Sequence, residues 1–444
     1  MAEDYLNILD PIIDDNSIES LQYSEYTPQS QGNLDNPGGA IQIDINASDD
    51  YLIPAKSFIH IKGQLVRGDN NNPFAANSDI SVVNNAMMYL FENISYQIGS
   101  TVVETITSPG QITSMLGYLS HPDDYNTCAG LMSCWCKDTT NNAVTRKYVA
   151  SQAAPAAGYT PEENPEYNQG FATRRALLMS ANPHGTFSFL IPFDHIFGFG
   201  SYSKVIYNVK HSLKFTRKSS DNQAIHRANA VPDGKIRLTS MAWRVQQVKL
   251  ELTKLMELRG IIQSKEVIPV GFQARTTDST VVTQTRAFSW RTNVLNGVEK
   301  PRWIIVGFQT DKSETQEQNP AVFDNLNLSK TYAKLNSVNY PAEDLIINFP
   351  TNDYSVLYEM FDNFKKEYYG FNSLVGGTQV NFASFKSLYP IIVFDVRHQN
   401  EKLAVGIMDM QLRFEFHDAV PANTTAYVTI ISDRVYQLKS DGKN

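Results

Sequence analysis

The sequence predicts an all-β protein built from two tandem antiparallel sandwiches, and three observations support this prediction. The chain has 444 residues, which suits two domains of about 200 residues each. Apolar and polar residues alternate in many short runs, as in strands that bury one face. Residues 410–416 (MQLRFEF) also repeat the alternating pattern of residues 211–217 (HSLKFTR). We call this repetition the first echo.

A second echo follows the first in each half of the chain. Residues 243–250 (WRVQQVKL) resemble residues 433–440 (DRVYQLKS), with Arg, Val, Gln and Lys at matching places. Two short matches in the same order indicate a duplicated unit.

Composition agrees with a globular β protein. Hydrophobic residues make up 42% and charged residues 19% of the chain, so there is enough apolar surface for two cores. The 22 Tyr and 23 Phe favour strands over helices. The net charge of −8 argues against a protein that grips phosphates, because that affinity comes from Lys and Arg. We therefore expect no specific nucleic-acid binding.

Charge distribution and loop composition divide the chain into an arm and two domains. No Lys or Arg precedes Lys56, whereas acidic residues are frequent there. This pattern predicts a flexible acidic arm over residues 1–35, and a docking arm for a basic partner is the alternative. The first domain covers residues 36–254, with a long loop at about 121–175, and the second covers residues 255–444. Thr253–Gly260 marks the junction, and a new strand pattern starts at Ile261.

The individual strands, turns and helices follow in the same order in both halves. The clearest strand patterns are Ile41/Ile43/Ile45, Ile59/Ile61 and Val248/Leu250/Leu252. The two stretches with helical periodicity are SPGQITSMLGYL, with Pro109 early, and NDYSVLYEMFDNFKKEYY, with Asn352 or Asp353 as the cap. Before each helix, a turn at Gly99 or Asn336 joins two strands. Each half thus predicts strands, a turn, a helix and further strands.

The number of strands in each half and the helices in the long connections are typical of a jelly roll. The predicted fold class is all-β: two tandem eight-stranded antiparallel jelly rolls with short helices in the long connections. A β-sandwich of another topology is the alternative, because a single sequence does not determine the order of the strands in a sheet.

The sequence contains no recognisable catalytic, cofactor-binding or metal-binding constellation. The eight His are scattered without an H-x-H pair, and no G-x-S-x-G elbow or phosphate-binding loop is present. His60 and His211 fall on the polar phase of predicted strands. We therefore expect no enzyme, no cofactor and no metal.

Other candidate residues have ordinary explanations. Cys128, Cys134 and Cys136 have a spacing that fits no zinc pattern, so free thiols are expected. The pairs Asp123-Asp124 and Glu162-Glu163 are expected to be solvated loop charges. In the most basic stretch of the chain, Phe215 and acidic residues lie between the positive residues. This pattern favours a solvent-exposed strand face over a nucleic-acid site. Its members are Lys210, His211, Lys214, Arg217, Lys218, Arg227, Lys235 and Arg237.

The N-terminus has neither a positive n-region nor an apolar h-region, and no apolar run reaches the roughly 20 residues of a membrane span. We expect synthesis and folding in a reducing, soluble compartment, without secretion.

The strand patterns of residues 41–66, 90–104 and 188–228 resemble those of double jelly-roll major capsid proteins of the virophage, Polinton or Maverick, and adintovirus-like group. The run Ser188–Ala228 is similar to the late strands of the first jelly roll in that family. IQIDINASDDYLIPAKSFIHIKGQLV and LFENISYQIGSTVVE are similar to its early strands, and KPRWIIVGFQTDKSETQEQNPAVF is similar to its second half. The chain is shorter than many members, which puts tower-like surface decorations in doubt.

The resemblance implies a structural function. It implies a major capsid protein whose homotrimers are pseudo-hexagonal capsomers of an icosahedral shell of a double-stranded DNA virus or virus-like transposon. Penton and minor capsid proteins would be its partners and the virion its location; the resemblance leaves internal membrane contact open. One alternative is a tandem jelly-roll carbohydrate-binding module, for which Trp135 and Tyr125 are the candidate platform. The other alternative is a cupin-type enzyme. The sequence lacks the metal-binding triad of such enzymes, which argues against this hypothesis.

Overall fold

The protein is described from a computed structural model that carries side chains. The described residues are 17–30, 34–47, 51–149, 162–264, 267–292, 300–370, 378–398 and 409–438. Strands β1–β11 lie in what we call the first half, residues 18–250, and β12–β19 lie in the second half, residues 268–438. Helix α5 joins the two halves.

The strands of the first half are β1 (Ile18–Tyr26), β2 (Ala40–Ile45), β3 (Tyr51–Arg67), β4 (Ile80–Val82), β5 (Phe91–Ile98), β6 (Thr101–Thr107), β7 (Thr186–Pro192), β8 (Ile206–Tyr207), β9 (His211–Arg217), β10 (Ile225–Arg227) and β11 (Gly234–Leu250). Those of the second half are β12 (Ile268–Val281), β13 (Ala287–Thr292), β14 (Lys300–Thr310), β15 (Leu328–Leu335), β16 (Val338–Tyr340), β17 (Ile392–Asp395), β18 (Met410–Phe416) and β19 (Thr424–Leu438). The helices are α1 (Ala86–Tyr89), α2 (Pro109–Ser120), α3 (Gln169–Met179), α4 (Phe193–Ile196), α5 (Leu252–Gln263), α6 (Ser355–Tyr369) and α7 (Phe382–Ser387).

The two halves repeat the same strand order. In the first half, one sheet runs β1-β11-β3-β7 and the other runs β2-β9-β5-β6. In the second half, the corresponding sheets run β12-β19-β14-β17 and β13-β18-β15-β16. All of these pairs are antiparallel. The prediction of two tandem eight-stranded jelly rolls is confirmed, and β4, β8 and β10 are short additions to the first.

Each half is a sandwich because aromatic side chains from its two sheets meet in the middle. In the first half, the rings of Tyr96 on β5 and Trp243 on β11 are 6.1 Å apart. In the second half, those of Phe308 on β14 and Phe414 on β18 are 5.1 Å apart. All four side chains are buried, and burial of such rings is the main stabilising contribution to each core.

The first echo marks equivalent strands, whereas the second does not align equivalent side chains. β9 and β18 occupy the same place in their sheets, and Leu213 and Leu412 both point into the core. The second echo matches Trp243 with Asp433. Trp243 is buried and faces the core, but Asp433 is exposed and lies on the opposite face of its sheet. The evidence for a duplicated unit is therefore the repeated strand order and not the second echo.

Both predicted helices and both predicted turns are present. Helix α2 begins at Pro109 and α6 ends at Tyr369. Gly99 and Asn336 have positive φ angles of 59° and 49° in their turns. The predicted cap of α6 was wrong, because Tyr354 occupies that position without a side-chain hydrogen bond.

The predicted arm over residues 1–35 needs a correction at its end. Residues 1–16 lie outside the described part of the chain, but residues 18–26 form β1, which pairs with β11. A strand was not evident there because both of its faces are largely exposed, so its sequence lacks a clear alternation. The expected strand starting at Ile261 was also wrong, because α5 covers that residue. The predicted domain boundary at 254/255 falls inside α5.

Candidate functional site: the seam between the two halves

The two halves are joined side by side by a buried contact that we call the seam. It is formed by residues 101–149, 174 and 193–201 of the first half and residues 268–277, 316–323, 379–389 and 434–436 of the second. Its first part covers the edge strand β12, and its second part surrounds the loop that follows α2.

Glu104 on β6 anchors the first part of the seam. Its carboxylate accepts hydrogen bonds from the backbone N–H groups of Gly198 (3.2 Å), Phe199 (2.7 Å) and Arg275 (2.7 Å). Arg275 lies on β12, so one side chain satisfies a donor on each side of the contact. Burial raises the pKa of Glu104 above its ordinary value, although these N–H donors favour the carboxylate. The edge of β12 is thus protected from pairing with another chain.

Two arginines of the second half reach back to the first. Arg275 donates to the backbone oxygens of Asp194 and His195, both at 2.8 Å. Arg434 on β19 donates to the backbone oxygen of Val103 at 2.7 Å. Hydrogen bonds from charged donors are stronger than neutral ones, so these contacts fix the register of the two halves.

The backbone of Gly198 approaches β12 so closely that only glycine fits. A Cβ at this position would lie 1.9 Å from the backbone oxygen of Gln273. Beside it, the rings of Phe199 and Phe272 meet edge to face at 5.0 Å. The seam therefore combines tight backbone contact with apolar packing.

The second part of the seam is built on Trp135. Its indole N–H donates to Oε1 of Gln379 in the second half, at 3.2 Å. The amide of Gln379 donates in turn to the backbone oxygen of Gly117 in α2, at 2.8 Å. The Trp135 ring also packs on Tyr118, whose hydroxyl donates to the backbone oxygen of Ala321 at 2.8 Å. Much of the loop predicted over residues 121–175 is therefore anchored between the halves.

A buried ion pair stabilises this second part of the seam. Arg174 on α3 donates to Oδ1 of Asp138 at 2.7 Å, and neither side chain is more than 2% exposed. The guanidinium also donates to the backbone oxygens of Val82 and Cys136. Asn319 in the second half donates to the other carboxylate oxygen of Asp138 at 3.0 Å. This network ties the first half, the loop and the second half together.

The seam was not predicted from the sequence. Charged members such as Glu104, Arg174 and Arg275 are distant in the chain and belong to no motif. The available signal was the loop around Trp135, where large apolar residues interrupt polar sequence.

The histidines lie in different environments. His60 is partly exposed and contacts the Ser188 hydroxyl at 2.8 Å. The expectation that His211 lies on a solvated face was wrong, because it is buried against the Tyr96 hydroxyl, 2.9 Å from Nδ1. Burial lowers the pKa of His211 to about 4.

The cysteines and acidic pairs do not form a site within the described chain. Cys134 and Cys136 are buried free thiols and Cys128 is exposed. Burial raises the pKa of Cys134 to about 12. Asp123 pairs with Lys137 at 2.7 Å. Among the described residues, no three His, Cys, Asp or Glu side chains are placed to hold a metal ion.

The basic stretch does not form one positive surface. Arg217 is buried and pairs with Asp221 at 2.9 Å, and Arg227 pairs with Asp233 and Glu317. Lys214 is exposed, as the strand pattern predicted. None of the helices in the described ranges has the length and apolar character needed to span a bilayer.

The strand order and the seam together define a double jelly roll. The family model for the double jelly roll-like domain matches residues 165–436, more than half of the chain. The chain therefore belongs to the double jelly roll-like domain family.

Solved structures with this fold come from several viruses. A chain in the cryo-EM structure of the Sputnik virophage has 11% identity and a TM-score of 0.59, over 99% of this chain and 92% of that chain. The Faustovirus major capsid protein has 8% identity and a TM-score of 0.53, with coverages of 99% and 94%. The mavirus major capsid protein has 11% identity and a TM-score of 0.51, with coverages of 98% and 91%. No curated protein matches the sequence. These similarities show a shared fold along nearly the whole chain.

Proposed function

We propose that this protein is a major capsid protein that forms the shell of a double-stranded DNA virus or virus-like transposon. The observation that carries the proposal is the repeated strand order of the two halves, fixed side by side by a buried seam. Such a chain presents two near-equivalent building units in a constant orientation. Similarity in fold to the Faustovirus and mavirus major capsid proteins supports the same conclusion.

In this proposal, three copies form a pseudo-hexagonal capsomer, because three chains supply six jelly rolls. Capsomers then pack into an icosahedral lattice, with penton and minor capsid proteins as further partners. The protein acts by geometry and performs no catalysis. Its location is the virion, after synthesis in the host cytoplasm or nucleus.

The carbohydrate-binding alternative loses its candidate platform. Trp135 is buried and bonded to Gln379, so its ring is not available to stack on a sugar. Tyr125 stacks on His121 with ring centroids 4.1 Å apart.

Negative-stain microscopy of the purified protein, combined with mass measurement, tests the proposed function. We expect trimers with a six-cornered outline, and larger sheets or shells at high concentration. A protein that stays monomeric at every concentration and salt condition would contradict the proposal.

A further inference from the structure

We propose that the seam contains an acid-sensitive switch: protonated His121 and His195 of the first half repel cationic side chains of the second half, and the two halves separate. The switch is a property of the single chain and goes beyond the proposed function. Only its consequence for a shell depends on that function, since acid would then loosen every subunit of the shell from within.

The two histidines form one stacked pair inside the seam, which we call the histidine pair. The rings of His121 and His195 are nearly parallel, at 17°, with centroids 5.6 Å apart. Each ring also meets the indole of Trp135 edge to face, at 4.8 Å for His121 and 5.8 Å for His195. Trp135 donates to Gln379 of the second half. The histidine pair therefore adjoins a direct contact between the halves.

A hydrogen bond fixes the tautomer of His195. The amide nitrogen of Asn85 donates to the hydroxyls of Thr113 (2.7 Å) and Ser114 (3.1 Å). Its Oδ1 therefore faces Nε2 of His195, at 3.1 Å. Since Oδ1 is an acceptor, Nε2 carries the hydrogen in the neutral ring, and an added proton goes to Nδ1. The bond to Asn85 is kept in both charge states, so it does not resist protonation.

The charged groups that act on the histidine pair are positive and belong to the second half. Burial first, and then Lys365 on α6, lowers the pKa of His121 to about 4. Burial, His121 and Arg275 on β12, in that order, lower the pKa of His195 well below its ordinary value. Protonation of the pair would therefore place two positive charges of the first half against two of the second. Like charges in a partly buried contact repel strongly.

The other titratable groups around the pair do not cancel this repulsion. The acids nearby are Asp124, Asp362, Glu104 and Asp194. The first two act on Lys365 and the third on Arg275, so they favour the charged form of both cations. Asp194 is exposed to solvent. The nearby phenols, Tyr125, Tyr368 and Tyr369, stay neutral because burial raises their pKa values.

Glu104 works against acid opening. Burial raises its pKa, so the closed seam takes up a proton on this carboxylate more readily than the open seam does. Protonation of Glu104 therefore favours the closed form. Around Lys365 and Arg275, the histidine pair is the group whose protonation favours opening.

The direction of the pH effect follows from the pKa of His121. In an open seam His121 has its ordinary pKa of 6.5, whereas in the closed seam its pKa is about 4. Below pH 6.5 the open form therefore takes up a proton that the closed form does not, and acid favours opening down to about pH 4. Between pH 7 and pH 5, His121 alone multiplies the ratio of open to closed seam by about 20. His195 adds to this factor.

Hydrogen–deuterium exchange with mass spectrometry on the purified full chain measures opening of the seam. The backbone N–H groups of Gly198, Phe199 and Arg275 are the reporters, because all three donate to Glu104 across or beside the seam. Labelling times at pH 7 and pH 5 are scaled for the pH dependence of chemical exchange. We expect the protection of these groups to fall about 20-fold or more at pH 5.

Three variants identify the source of the effect. His121→Phe/His195→Gln removes both titratable rings while keeping an aromatic ring in the stack and a donor to Asn85, so it should abolish most of the loss of protection. Lys365→Met keeps both histidines but removes one repelling charge, so it should give a smaller loss than wild type. His211→Met is the matched control, because His211 also has a pKa of about 4 but lies in the first core. Its seam should open as in wild type.

Circular dichroism at pH 7 checks the fold of each variant, and His121→Phe alone replaces the double variant if the latter does not fold. Seam protection that acid leaves unchanged in wild type would overturn the proposal. So would an equal loss in wild type and in the variant without titratable seam histidines, or a loss that His211→Met abolishes. The measurement does not require assembly. A wild-type protein that stays monomeric would therefore contradict the proposed capsid function without affecting the test of the switch.

Discussion

The Asp138–Arg174 pair gives the sharpest prediction about the seam. Asp138→Asn keeps the shape of the side chain but removes its negative charge. Arg174 would then remain buried without an ionised partner, and only neutral oxygens, including those of Val82 and Cys136, would accept from its guanidinium. Asn319 would also lose its charged acceptor.

The expected cost follows from the burial of both partners. Removing one member of a buried ion pair typically costs about 3–5 kcal/mol, because the remaining charge stays desolvated. We therefore expect Asp138→Asn to lower the free energy of unfolding by about 3 kcal/mol or more. The double variant Asp138→Asn/Arg174→Met should lose less than the sum of the single variants, because no buried charge is left.

Urea unfolding monitored by intrinsic fluorescence measures these differences. The matched control is Glu19→Gln, which breaks the Lys249–Glu19 pair at 2.7 Å between two exposed side chains. An exposed pair is worth about 0–1 kcal/mol, so the control should unfold like the wild type. Equal effects of Asp138→Asn and Glu19→Gln would refute the role assigned to the buried pair.

Two further predictions concern the seam glycine and the core histidine. Gly198→Ala should cost about 1–3 kcal/mol, as overpacking does, because the new methyl group would meet the Gln273 carbonyl. Gly260→Ala, in open space on α5, should instead stabilise by about 0.5–1 kcal/mol; thermal melts that show equal shifts for both would contradict this reasoning. The folded pKa of His211, about 4, lies below the ordinary 6.5, so below pH 6.5 the unfolded chain takes up a proton that the folded chain does not, and stability falls as pH falls towards 4. His211→Met should therefore lose about 2 kcal/mol less than wild type between pH 7 and pH 5, and identical pH slopes in urea unfolding would argue against a buried neutral histidine.

Sequence pattern predicted the elements in which periodicity is strong. The strands β2, β9 and β18 alternate apolar and polar residues and bury one face, and α6 carries Leu357, Phe361 and Phe364 at helical spacing on its buried side. β1 was missed because an exposed edge strand does not need an apolar face. Similarly, α5 has no buried residue, so its sequence carries little helical periodicity.

The seam was beyond sequence reasoning for a different reason. Glu104, Gly198 and Arg275 meet only because strand order brings β6, the turn at residues 198–201 and β12 together. Each looks ordinary in its own segment, since a lone carboxylate or glycine has many roles. The buried state of His211 shows the same limit, because polar phase on a strand does not reveal that Tyr96 supplies a partner inside the core.

In the proposed capsid, the covalent link through α5 changes how the shell grows. Since both halves belong to one polypeptide, the seam forms during folding and does not depend on protein concentration, as expected for an intramolecular contact with a high effective concentration. Assembly from such chains therefore requires fewer diffusive encounters than assembly from separate sandwiches. Because the two halves have separate sequences, a substitution can alter the contact surface of one half without altering that of the other. The two halves can therefore acquire different neighbours.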